Sequence, residues 1–241
     1  YMAAQPGLKK VYFIHQDYAW GQSVRRVTLE MLKQKRPDIQ VVGDDLIGLL
    51  KVKDFAPYVA KIRASGADSV FTSNWGNDLT LLVKAAEQSG LTTQFYTTHA
   101  WVTGTPAVIG SVAASKIKMI MTWHINDAPA DWEKKLLRYR DKYKAKTYVD
   151  FLPPWQTMDM FASALDKTGK DDPIKVAYAL EGMQYLGPSG DSWMRTEDHQ
   201  LMSPTYITSF VKAGQPGVRY EAEGTGFGWK TEVLSKASES V

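Results

Sequence analysis

Residues 9–35, KKVYFIHQDYAWGQSVRRVTLEMLKQK, constrain the fold more than any other stretch. Val11, Tyr12, Phe13 and Ile14 form a short apolar run rich in β-branched and aromatic residues. Such a run suits a strand buried on both faces of a parallel sheet. His15-Gln16-Asp17 brings it to a polar end. Val24, Val27, Thr28, Met31 and Leu32 then recur at helical spacing, with Arg25, Arg26 and Glu30 on other faces. Pro37-Asp38 stops the helix. The loop Asp17-Tyr18-Ala19-Trp20-Gly21 is thereby expected at the carboxyl end of the strand, where open α/β sheets bind ligands. Gly21 lets the backbone turn into the helix and leaves the first amides free for a polar ligand group.

The same alternation continues. Residues 39–43 read as a second strand, and 44–53 as a loop. Asp54 caps a helix that carries Phe55, Tyr58, Val59 and Ile62 on one face. Ser69–Thr72 is a third strand, followed by the polar-aromatic loop Ser73-Asn74-Trp75-Gly76-Asn77-Asp78 and a helix from Leu79 to Ser89. Gln94–Thr97 and Ile117–Met121 are further strands, the first ending in the loop Thr98-His99-Ala100-Trp101. Strands alternating with helices at this spacing imply a parallel sheet with right-handed crossovers.

From Asn126 the pattern changes to three successive helices, around 132–143, 155–167 and 173–180, with little strand signal. Residues 205–211 alternate as a strand, 212–217 read as a hairpin turn, and the tail after Glu232 is polar and expected to fray.

Composition narrows the function classes. The 241 residues are 44% hydrophobic and 23% charged, which is globular. A net charge of +3, spread along the chain, does not point to nucleic acid. With no cysteine there is no disulfide, thiolate nucleophile or cysteine-based zinc site. No run of about 18 apolar residues exists to span a membrane. His15, His99, His124 and His199 do not pair at metal-ligand spacing. Gly224-Thr225-Gly226-Phe227-Gly228 lacks the spacing of a phosphate loop, and Gly187-Pro188-Ser189-Gly190 that of a nucleophile elbow. No cofactor is expected.

The strand, D-Y-x-W-G, helix pattern resembles the branched-chain amino-acid receptor family, which has the periplasmic-binding-protein-like fold. Those proteins are the solute-binding components of ABC transporters. The resemblance continues through DFAPYVAKIRASGADSVF at 54–71, residues 155–180 and the GPSGD stretch at 187–191. It implies a two-lobed α/β fold with parallel sheets flanked by helices. Residues 9–123 would form the second lobe, 124–204 the returning segment of the first, 205–232 the return to the second, and 233–241 a tail. The opening half of the first lobe has no counterpart in these residues. The resemblance also implies a small-molecule ligand, a membrane permease as partner, a periplasmic location and a monomer.

By position, Trp20, Trp75 and Trp155 match ligand-contacting aromatics, with Tyr18 and Asn74 beside them. His99 stands where amino-acid receptors of the family carry an acidic residue for the ligand ammonium. That departure favours an aromatic or other carboxylate over a free amino acid. Each site residue also has a plainer reading. Trp20 and Trp75 suit loop packing, His99 suits a satisfied surface histidine, and Asp17 suits a loop-bonding role before a ligand contact. Two other functions stay open at this level: a ligand-sensing regulator of the same fold, and an α/β enzyme using His99 or His15 as acid-base catalyst.

Overall fold

The structure, a computed structural model, describes residues 1–114, 116–145 and 152–239. Ten strands and seven helices occur among them: β1 (Lys10–Gln16), α1 (Ala19–Lys35), β2 (Gln40–Ile47), α2 (Ala56–Ser65), β3 (Ser69–Thr72), α3 (Gly76–Gln88), β4 (Gln94–Thr97), α4 (Thr105–Ile109), β5 (Ile117–Met121), α5 (Ala130–Tyr143), α6 (Leu152–Thr168), α7 (Pro173–Leu180), β6 (Gln184–Gly187), β7 (Gly190–Met194), β8 (Leu201–Met202), β9 (Thr205–Lys212) and β10 (Phe227–Ser235). None of these helices is long and apolar enough to cross a membrane.

Seven strands form one sheet in the order β10-β9-β5-β4-β3-β1-β2. The pairs β1–β2, β1–β3, β3–β4 and β4–β5 are parallel. The α/β fold with a mostly parallel sheet is thus the one expected. The strand order reverses direction at β1, so the crevice between the carboxyl ends of β1 and β3 is the topological switch point of the sheet.

The chain forms two compact units, Tyr1–Ile120 with Ile207–Lys230, and Met121–Tyr206 with Thr231–Val241. In the first, Val11, Phe13, Ile14 and Val70 are wholly buried, as are Leu79 and Leu82 of α3. Each such side chain stabilises by roughly 1.5–3 kcal/mol relative to exposure. The second unit is built on α5, α6 and α7. Trp132, Leu136, Met160, Ala164 and Val176 are buried there. Asp172 caps α7 through its carboxylate, which accepts from the N–H groups of Ile174 and Lys175.

Several element bounds differ from the sequence expectation. β1 runs on through His15 and Gln16, both wholly buried. They are a buried polar strand end rather than a loop. β2 continues to Ile47, so residues 44–47 are not loop; Tyr12 on β1 donates to Asp45, and Arg25 on α1 pairs with Asp44. The three helices of the second unit are joined by a small antiparallel sheet, β6-β7-β8, that the sequence did not announce. The GPSGD stretch is its first turn, with Gly187 opposite Gly190. β10 carries the chain to Ser235, past the expected fraying point, and a 3-10 turn follows at Ala237–Glu239. Residues 240 and 241 lie outside the described set. Gly224 and Gly226 take positive φ in the approach to β10, and a strand follows instead of a helix.

Candidate functional site

The carboxyl ends of β1, β3 and β4 gather most of the expected site residues in the first unit. Trp20 is not in a loop but in the first turn of α1, which starts at Ala19. Gly21 follows it, and its role differs from the expected one. A Cβ there would lie 1.9 Å from the carbonyl oxygen of Gln16. The glycine lets α1 start directly against the end of β1. Trp75 is the N-terminal cap position of α3, and Gly76 after it takes φ +57°, a left-handed conformation that glycine adopts without strain. Asn77 and Asp78 therefore belong to α3, not to the preceding loop.

Three aromatic groups meet at this end of the sheet. The ring centroids of Trp20 and His99 are 5.4 Å apart at 86°. His99 also stacks on Trp101, at 6.1 Å and 23°. Trp101 was not among the expected site residues; only its place two residues after His99 could have signalled it. The Thr98 hydroxyl lies 2.8 Å from His99 Nδ1, and burial lowers the His99 pKa. A second pair stands on the neighbouring loops, where the Trp75 indole N–H donates to the Tyr18 hydroxyl at 2.9 Å. Trp20 is 41% exposed, an unusual state for a tryptophan beside a strand-end crevice.

Beneath these rings the strand ends are polar and buried. Asp78 accepts from Gln16 Nε2 at 2.7 Å and from the Leu50 N–H at 2.9 Å. Gln16 also donates to the Trp75 carbonyl at 3.3 Å. One carboxylate of α3 thus ties together the end of β1 and the loop that follows β2. Asn74 is wholly buried, and neither its amide oxygen nor its amide nitrogen has a protein partner. Such unmet capacity costs free energy unless water or a ligand supplies it.

His15 is removed from solvent. The Ser73 N–H donates to His15 Nδ1 at 3.1 Å, and the Ser73 hydroxyl lies 2.8 Å from the same atom. The imidazole is therefore neutral with its proton on Nε2, and burial pushes its pKa down to about 4. A ring enclosed in this way does not reach a substrate, which takes His15 out of an acid-base role.

Two expected residues stand apart. Asp17 is exposed and accepts from the Gln22 side chain at 2.7 Å, the loop-bonding arrangement. Trp155 belongs to the second unit, in the first turn of α6, where its ring meets Trp132 edge-on at 5.0 Å. No group of three His, Cys, Asp or Glu residues among the described residues is placed to hold a metal ion.

A family model described as "Periplasmic binding protein" matches residues 1–215. The Leu/Ile/Val-binding protein homolog 4 of Brucella abortus (strain 2308) is 33% identical over 244 residues, covering 97% of this chain. The chain spans only 55% of that relative's length. Among solved structures, the leucine-, isoleucine-, valine-, threonine- and alanine-binding protein from Brucella ovis, in its closed conformation, superposes with a TM-score of 0.82 at 30% identity, over 97% of this chain and 59% of that one. A solute-binding protein of an ABC transporter from Rhodopseudomonas palustris HaA2, solved with p-hydroxybenzoic acid, gives a TM-score of 0.81 at 22% identity, over 98% and 62%; that likeness shows the fold alone.

Proposed function

Since the chain belongs to the periplasmic binding protein family, matched over residues 1–215, we propose that it is part of a periplasmic solute-binding protein serving the permease of an ABC transporter. It binds a small organic carboxylate and releases it unchanged. Trp20, Trp75 and His99 hold the ligand, and Tyr18 and Asn74 support them.

The observation that carries this reading is the Trp20–His99–Trp101 cluster at the carboxyl ends of the strands. Flat rings in a crevice suit a planar or apolar ligand. His99 fixes the sign of its charge. A buried ammonium needs a negative acceptor, because an unpaired buried cation is costly. His99 is held toward its neutral form by burial and offers no such charge. To a carboxylate it donates a hydrogen bond, which protonation strengthens. Family names and ligands support both candidate classes: the Brucella relative is named for leucine, isoleucine and valine, while proteins of the same fold were solved with p-hydroxybenzoic and 3,4-dihydroxybenzoic acids.

The test is calorimetry against a panel of free amino acids and of aromatic and aliphatic carboxylates. Binding of carboxylates with amino acids inert supports the reading. Tight binding of leucine with the carboxylates inert overturns the ligand class, and turnover of any bound compound overturns the binding role.

A further inference from the structure

His99 and Trp101 stand on residues 98–104, which run from the end of β4 to the start of α4. Sheet pairing to β3 and β5 anchors the β4 end. The α4 end depends on where its first backbone N–H groups find acceptors, because the first turn of a helix leaves them unmatched. The Thr105 N–H donates to the Val102 carbonyl at 2.8 Å, and the Val108 N–H to the Gly104 carbonyl at 3.2 Å. Pro106 has no N–H to place. Gly104 and Ala107 remain. The N-cap position of α4 is Gly104 itself, which has no side chain to serve them. Both donate instead to one carboxylate from far along the chain, Gly104 to Glu223 Oε1 at 2.7 Å and Ala107 to Glu223 Oε2 at 2.9 Å.

Glu223 reaches them from the loop between β9 and β10. The Thr225 N–H donates to the Ala222 carbonyl at 3.2 Å, which closes a tight turn with Glu223 and Gly224 at its centre. Both central residues have positive φ, +55° and +76°. Turns of that kind favour Asn, Asp or Gly at the first central position, and a glutamate there is strained. Asn and Asp are each one methylene shorter, and the extra length brings the Glu223 carboxylate to α4. The turn is a firm support: Glu221 accepts from the Gly226 N–H at 2.5 Å, and the Ala222 N–H donates to the Phe227 carbonyl at 2.7 Å. From α4 the restraint passes back to the rings. The Val102 N–H donates to the His99 carbonyl at 3.2 Å, and the Trp101 indole N–H to the Thr98 carbonyl at 3.1 Å.

We propose that Glu223 is a positioning residue for the ligand site. Its carboxylate fixes the start of α4, and with it the placement of His99 and Trp101. The effect on affinity rests on the reading that His99 holds the ligand; the effect on the rings rests on geometry alone.

The test compares the protein with its Glu223→Asn and Glu223→Gln variants. Asn suits the turn and is too short for α4, whereas Gln reaches α4 with one acceptor oxygen in place of two. Thermal melts establish that both are folded, and Glu223→Asn should melt close to the parent, because relief of the turn strain offsets the lost cap. The rings are read without ligand, by histidine side-chain NMR and by fluorine NMR of fluorotryptophan-labelled protein, with signals assigned through His99→Gln and Trp101→Phe. The His99 and Trp101 signals should shift or broaden in Glu223→Asn and less so in Glu223→Gln, while His15, enclosed with Ser73, keeps its signal. Calorimetry then uses the compound that the parent binds most tightly from the panel of amino acids and carboxylates. Glu223→Asn should bind it about tenfold more weakly, as for the loss of a charge-assisted hydrogen bond, and Glu223→Gln should lose less. Unmoved His99 and Trp101 signals overturn the proposal, whichever compound binds and even where none does. Shifted signals with parental affinity overturn it as well. Shifted signals and lost affinity for an amino acid, with carboxylates inert, uphold Glu223 and overturn only the carboxylate reading.

Discussion

The imidazole of His99 contacts two indoles, edge-on to Trp20 at 5.4 Å and stacked on Trp101 at 6.1 Å. Three residues from two segments thereby form one aromatic wall, and Thr98 holds the ring through Nδ1. The wall stands at the carboxyl ends of β1 and β4.

Truncating the aromatic side chains should weaken ligand binding without unfolding the protein. Trp20→Ala and Trp75→Ala are each expected to cost about 2 kcal/mol or more of binding free energy, the range of buried aromatic anchors. Trp20 is 41% exposed, so its variant should melt close to the parent. Calorimetry and thermal melts on the same samples check both halves. A Trp20→Ala protein that unfolds and keeps its affinity when folded would return that residue to a packing role.

Carboxylate affinity should rise as the pH falls. Burial lowers the pKa of free His99, and a bound carboxylate raises it again, so binding takes up a proton. Affinity then increases by up to about tenfold per pH unit through the His99 range. A pH series of calorimetric titrations in the parent and in His99→Gln tests this. The variant should be flat over the range in which the parent varies.

Folding stability should decline on acidification. Burial holds His15 and His124 at about 4, against an ordinary value near 6.5. The unfolded chain binds their protons below about 6.5, and the folded chain does so only near 4. The contribution of each is therefore complete above the unfolded value and is lost as pH falls between them, on the order of 3 kcal/mol per histidine. Urea unfolding between pH 7 and 4 measures the slope, and His124→Gln should remove about half of it. In the native protein His124 Nε2 bonds Thr231, whose hydroxyl donates to Asp127.

Gly21→Ala should be severely destabilising, by about 3 kcal/mol or more. The new Cβ would lie 1.9 Å from the Gln16 carbonyl oxygen, a backbone atom that cannot swing aside. Gly7→Ala is the control. No atom lies within 4 Å of the Cβ position there, and a change within about 0.5 kcal/mol is expected. Equilibrium denaturation of the two variants decides it.

How much of this was legible in the sequence depends on how local the cause is. Ser69–Thr72 and Gln94–Thr97 occur as strands with the bounds read from their apolar runs, because burial on both faces demands such runs. The helices α1, α2, α5 and α6 were visible from their spacing, and the D-Y-x-W-G pattern gave the family. The sheet β6-β7-β8 was not visible. Its strands are only four, five and two residues long, and their partners lie across turns that no local pattern specifies.

At the site, the sequence by itself determined which residue types stand at the strand ends: Trp20, Trp75, His99, Tyr18 and Asn74. It also determined the small net charge and the absence of cysteine chemistry. Tertiary structure alone decided what each of them touches. It set His99 against Trp20 and Trp101, placed Trp155 against Trp132, enclosed His15 with Ser73, and made Asp78 the tie between α3, the end of β1 and the loop after β2. Periodicity reports the environment of a residue along its own strand or helix. The neighbours across a sheet are fixed by strand order and register, which unite segments as far apart as Gln16 and Asp78. No local pattern carries that information.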